Sequence, residues 1–115
     1  MWRDDSNLLD ILNAARKVVR YCAGVRWEEF ETNEILQDAV VRKLGIIGEA
    51  ARRTSEDLRK AYPQIPWEDI IGMRNRLIHE YFRVDLRRVW DTVVDEIPEL
   101  IQLIEPIVPP EESPS

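Results

Sequence analysis

The chain holds one histidine, His79, set five residues after Arg74, four after Asn75 and two before Tyr81. Those four residue types can do chemistry. An ordinary imidazole has a pKa of about 6.5, so near neutral pH it can accept or donate a proton. A guanidinium donates two parallel hydrogen bonds to adjacent oxygens of a phosphate. On one unbroken helix Asn75 and His79 would share a face, where the amide can orient the imidazole or meet a ligand itself. Arg74 and His79 would instead diverge by roughly 140°, at about 100° per residue. A helix that ends near His79, or a cleft shared by two copies of the chain, would relieve that divergence. Tyr81 lies seven residues after Arg74, near the face of Arg74 and Ile78, and reads as a core aromatic with its hydroxyl at the rim.

Taken singly, each of these residues also has a plainer use. A lone histidine near a helix end often serves as a cap, and Arg74 can pair with Glu68 or Glu80. Other chemistries are narrowed by composition. The single cysteine, Cys22, cannot form an internal disulfide, and with one histidine it cannot supply the ligand set of a structural zinc site. Cys22 continues an apolar stripe with Val18 and Val19, as a small core residue would, and no second histidine is present to activate it. Arrangements such as Ser-His-Asp or Cys-His would all have to centre on His79, and no exposed nucleophile turn is readable. Gly45 and Gly48 are too isolated for a phosphate loop. No metal and no cofactor is therefore expected. Trp67 and Trp90 fall on apolar faces and suit core or dimer packing, so no tryptophan is assigned to a site.

A net charge of -6 argues against nonspecific binding to nucleic acid, since a polyanion is repelled by a chain of its own sign. The charge is unevenly spread, however. From Val89 onward there are seven acids and no lysine or arginine, so residues 1–88 hold 16 bases against 15 acids. Between Met73 and Arg88 five arginines (Arg74, Arg76, Arg83, Arg87, Arg88) face Glu80 and Asp85, a local balance of +3 that a phosphate could use.

Helices must position these residues. Leu8, Ile11, Leu12, Ala15, Val18, Val19 and Cys22 follow one stripe of a helix capped by Asp5 or Ser6 and ended by Gly24. The segment "RWEEF" predicts a single helical turn. Thr32 or Asn33 opens a long helix with Ile35, Leu36, Ala39, Val40, Leu44, Ile47 and Ala51 inward, running to about Arg53. Gly45 and Gly48 lie inside it, each costing about 1 kcal/mol relative to alanine, which predicts a close approach by another backbone. Ser55 starts a short helix closed by Pro63. Pro66 fits a helical first turn, and that helix is expected to carry the motif unbroken to near Val84. Asp85 caps the next, with Leu86, Val89, Trp90, Val93 and Val94 on one face and Pro98 kinking or restarting it. No segment alternates with period two, so no sheet is expected. Residues 1–107 read as one helical domain, and 108–115 as a Pro/Glu/Ser-rich tail that cannot bury a core and should be disordered. No apolar run approaches the roughly 20 residues of a membrane span, and the N-terminus lacks a signal-peptide pattern, which predicts a cytoplasmic protein.

The joined string "GMRNRLIHEYFRVD" resembles the signature of the HEPN superfamily, an arginine followed by a polar residue and then, four to six residues on, a histidine. The extension from His79 to Tyr81, with "GEAAR" and "IPW" upstream and Val84-Asp85 and Val89-Trp90 downstream, is similar to the HepT branch of that superfamily. The likeness runs from Leu8 to Ile104.

That resemblance implies an all-α, HEPN-like bundle of four to five helices that pairs as a homodimer, with both motifs in one cleft. It implies a metal-independent ribonuclease toxin with Arg74, Asn75 and His79 as catalytic residues and RNA as substrate. The implied partner is a small MntA-like nucleotidyltransferase antitoxin, which in the HepT family attaches AMP to the tyrosine matching Tyr81. The added phosphate would sit among Arg74, Arg76 and Arg83, in place of RNA. The chemistry is self-consistent: cleaving RNA through its own 2′-hydroxyl needs proton transfer at two oxygens and charge neutralisation on the phosphorane, with no metal. A noncatalytic substrate-binding or adaptor subunit of a nucleotidyltransferase is the main alternative, and such a subunit need not keep the motif. A structural dimerisation module would leave the polar set unexplained.

Overall fold

The computed structural model describes residues 2–80 and 83–110, with the backbone alone described for Trp2, Arg74, residues 77–80 and Arg83. An apolar stripe makes α1 (Trp2–Tyr21), where Leu8, Ile11, Leu12, Ala15 and Val18 are buried. The expected cap at Asp5 or Ser6 does not form, because the helix already begins at Trp2. Gly24, at φ 73°, supplies the left-handed turn that follows the helix. After α2 (Trp27–Glu31), Asn33 caps α3 (Glu34–Arg52), its side chain accepting from Leu36 N at 3.0 Å. Ser55 caps α4 (Glu56–Ala61) in the same way, accepting from Leu58 N at 3.1 Å. Each cap satisfies an amide that the first helical turn leaves open.

The core forms where α1 lies along α3 and along α8 (Ile97–Ile104). Val40, Leu44, Ile47 and Ala51 of α3 meet the α1 stripe, and Ile97, Leu100 and Ile104 close it from the third side. Phe30 of α2 is wholly buried, with its ring 5.0 Å from that of Trp90. Three residues read as inward from periodicity are instead exposed, Ile35 (84%), Val94 (50%) and Val19 (40%). The predicted close approach is made at Gly48, where a Cβ would lie 3.2 Å from the carbonyl oxygen of Ile70 on α5 (Trp67–Ile71).

The motif region departs from the expected single helix. Helix α5 stops at Gly72, α6 (Met73–Leu77) follows, and the backbone then turns extended in β1 (Ile78–Glu80), paired antiparallel with β2 (Arg83–Val84). Ile78 faces Val84 and Glu80 faces Arg83 in this ladder, the sole β structure among the described residues. Both Ile78 and Val84 are β-branched and favour extended backbone. Their pairing also satisfies amides and carbonyls that a helix end leaves open.

Asp85 caps α7 (Leu86–Asp91), accepting from Arg88 N at 3.1 Å. A π turn, Thr92–Glu96, joins α7 to α8, with Pro98 in the first turn of α8. Proline lacks an N–H and crowds the carbonyl four residues back, and a widened turn just before it accommodates both effects. With α5–α6 and α7–α8 each counted as one broken helix, the described chain is an all-α bundle of six helical units. A 3₁₀ turn, Glu105–Ile107, follows, and Val108 still packs on the core; residues 111–115 of the expected tail lie outside the described residues.

Candidate active site

The backbone places Arg74 and Asn75 on α6 and His79 in β1, two residues past the helix end at Leu77. Asn75 and His79 therefore do not share a helical face, and the divergence expected of Arg74 and His79 on one helix does not apply. One of the two reliefs anticipated for that divergence, a helix ending near His79, is what the fold provides. Asn75 is exposed. Tyr81, expected to be the modified residue, lies outside the described residues.

Of the five arginines in the basic segment, two are matched by acids from outside it. Arg87 pairs with Asp91 at 3.5 Å and stacks over Trp27 at 4.8 Å from the ring centroid. Arg76 donates from Nη2 to the carbonyl of Asp69 at 3.1 Å and lies 3.5 Å from Glu96 Oε1, while its buried Nε has no partner among the described residues. Arg76 is thus turned toward α5 and the π turn; its expected place beside a phosphate on Tyr81 concerns a residue outside the described ones. A cleft of about 250 Å³ opens here, with Ile70, Met73 and Leu100 among its walls and Asp69, Glu96 and Glu99 beside Arg76. Three carboxylates against one guanidinium do not suit an RNA phosphate.

Other groups considered for chemistry are structural. Burial pushes the thiol of half-buried Cys22 up from its ordinary range, which suppresses the reactive thiolate. Among the described residues no group of three or more His, Cys, Asp or Glu side chains could hold a metal ion, and no helix is long and apolar enough to cross a membrane. The sequence flanks of the motif also have packing duties. Trp67 is buried, its indole donating to Tyr62 O at 3.0 Å, Val89 is buried, and Asp85 is a cap. Packing accounts for those flanks. It does not account for exposed Asn75, four residues before the chain's only histidine. Two features have no clear pattern in the sequence, the strand pair and the anchoring of Arg76, although the π turn that presents Glu96 to Arg76 has a local signal in Pro98.

Fold and site together define a small all-helical domain whose basic segment leaves its helix just before the only histidine. The chain belongs to the Ribonuclease HepT-like family, which it matches over residues 11–107. It is 42% identical over 101 residues to a Methanocaldococcus jannaschii protein, covering 88% of this chain and 84% of that one. It is 39% identical over 98 residues to a protein of Caldanaerobacter subterraneus, covering 85% and 88%; both relatives bear the name "Putative RNase". A Thermococcus cleftensis protein named "Probable ribonuclease HepT" is 40% identical over 93 residues, 81% of this chain and 84% of its own. No solved structure matches the chain.

Proposed function

We propose that this chain is the toxin of a toxin–antitoxin pair, a metal-independent endoribonuclease that acts as a homodimer through Arg74, Asn75 and His79. The observation that carries the reading is the family match across residues 11–107 together with an intact motif from Arg74 to Tyr81. In the proposed reaction the 2′-oxygen of the RNA attacks the adjacent phosphorus and the bond to the 5′-oxygen breaks. The 2′-hydroxyl loses its proton to one imidazole and the leaving 5′-oxygen gains one, giving a 2′,3′-cyclic phosphate and a 5′-hydroxyl. His79 performs the proton transfers, two copies being available in a dimer. The guanidinium of Arg74 neutralises charge on the phosphorane oxygens, and Asn75 hydrogen-bonds the imidazole or the RNA.

Control comes from a MntA-like nucleotidyltransferase antitoxin that attaches AMP to the phenol oxygen of Tyr81, with pyrophosphate leaving ATP. The added bulk and negative charge beside Arg74 and His79 would repel an RNA phosphate. The test is cleavage of RNA by the purified chain in EDTA, with end-group analysis. Cutting should persist and leave cyclic phosphates, and His79→Ala should lower the rate by about 10² or more, the usual contribution of a positioned acid or base, with the helical circular dichroism retained. A magnesium requirement or a 3′-hydroxyl product would reject the mechanism, and a parental rate for His79→Ala would reject the role of the imidazole.

A further inference from the structure

Arg76 and Glu96 stand apart from the motif residues, and they join elements that the motif needs held together. The guanidinium of Arg76 extends from α6, the helix of Arg74 and Asn75, to the carbonyl of Asp69 on α5 at 3.1 Å and to Glu96 Oε1 at 3.5 Å. The other carboxylate oxygen of Glu96 lies 3.0 Å from the hydroxyl of Thr92, which is itself 2.8 Å from the carbonyl of Arg88. A hydroxyl has one proton to give, so Thr92 serves one of these acceptors at a time. Thr92 is 1% exposed and therefore fixed in place. Thr92 and Glu96 are the first and last residues of the π turn, so the widened turn is the element that presents this carboxylate to α6. A helix of five residues has too few internal hydrogen bonds to hold its own orientation. It takes that orientation from the packing of buried Met73 and from the anchors of Arg76.

We propose that Arg76 and Glu96 are positioning residues for the nuclease reaction: the Arg76–Glu96–Thr92 chain fixes α6, and so sets where Arg74 and Asn75 stand relative to His79, two residues past the end of that helix. This rests on the reading of those three residues as the catalytic set. Arg76 would then act without touching RNA, although it lies between basic residues in the sequence. Displacement of a reacting group by about 1 Å can cost on the order of 10²-fold in rate. Substrate binding, carried by phosphate contacts elsewhere, should change little.

The experiment uses the full chain with Arg76→Met, which keeps the aliphatic stem and removes every donor, Glu96→Gln, which keeps the shape and removes the charge, and the pair combined. Each single variant should lower kcat by about 10- to 100-fold, leave KM for RNA within about twofold, and leave the salt dependence of RNA binding unchanged. The double variant should be no worse than the poorer single one, because both break the same link. Independently of activity, backbone hydrogen exchange across residues 73–77 should quicken in Glu96→Gln. A raised KM with a flatter salt dependence in Arg76→Met would make Arg76 an RNA contact and overturn the proposal, as would an unchanged kcat in both variants. Should the unaltered chain cut no RNA, the ribonuclease reading fails on its own. The anchoring of α6 is then judged by exchange alone, where quickening upholds it and unchanged protection refutes it.

Discussion

At the scale of single residues, the proposed division of labour gives Tyr81 no part in cleavage. In that proposal its phenol oxygen is the acceptor for AMP. Tyr81→Phe keeps the ring and deletes the acceptor, so this variant should cut RNA at close to the parental rate yet escape neutralisation by the antitoxin. Intact mass after incubation with the nucleotidyltransferase and ATP reads the outcome, with growth of cells expressing both proteins as the biological readout. An AMP increment that persists on the Phe variant would place the modification on another side chain. Individual residues are legible in sequence where their neighbours are local and less so where contacts come from afar. Cys22 reads as a core residue from its stripe alone, and the structure leaves it half-buried. Ile35 has the phase of an inward residue and is 84% exposed, because periodicity reports a face of α3 but not whether anything covers that face. The partners of Arg76 come from α5 and from the π turn twenty residues away, beyond the reach of any local pattern.

At the scale of elements, the caps at Asn33, Ser55 and Asp85 are readable because each is a contact between a side chain and an amide three residues on. The strand pair is not: Ile78, His79 and Glu80 are compatible with a helix, and only pairing with Arg83 and Val84 makes extended backbone preferable there. Long-range capping also ties elements together at the start of the chain. Asp4, 8% exposed on α1, accepts from Ser55 N at 2.8 Å and from Ser55 Oγ at 2.6 Å, so it holds the residue that caps α4. Burial alone would push the Asp4 carboxyl up, but the hydrogen bonds from the Ser55 side chain and backbone outweigh it and hold the carboxyl below its ordinary value of 3.8. A pKa lowered by folding means stability that is fully present above the unfolded value and is lost as pH falls through the folded one. Asp4→Asn should therefore lower stability by about 1.5–3 kcal/mol at neutral pH, the range for hydrogen bonds to a charged group. The difference from the parent should shrink only below the ordinary carboxylate range. Thermal melts of both proteins from pH 7 down to pH 3 check this, and a gap that instead widens on acidification would show that Asp4 is not ionised in the fold.

At the scale of the whole molecule, a net charge of -6 opposes the approach of RNA, and the described acids that follow Val89 lie on α7, the π turn, α8 and the 3₁₀ turn. Arg76 and Arg87 are already paired with Glu96 and Asp91, so one copy of the chain offers RNA fewer spare positive charges than its sequence advertises. Each copy also has a single imidazole, while the proposed cleavage moves a proton at two oxygens. Pairing two chains about a twofold axis answers both shortages, since it sets two basic segments and two copies of His79 around one substrate. A site assembled in this way fails when the pair dissociates. Sedimentation at micromolar concentration should show twice the mass of the chain, and specific activity should fall on dilution along the same curve as the mass. A chain that sediments only as a monomer at micromolar concentration and above, or that keeps its specific activity after the mass has halved, would show that each copy carries a complete site.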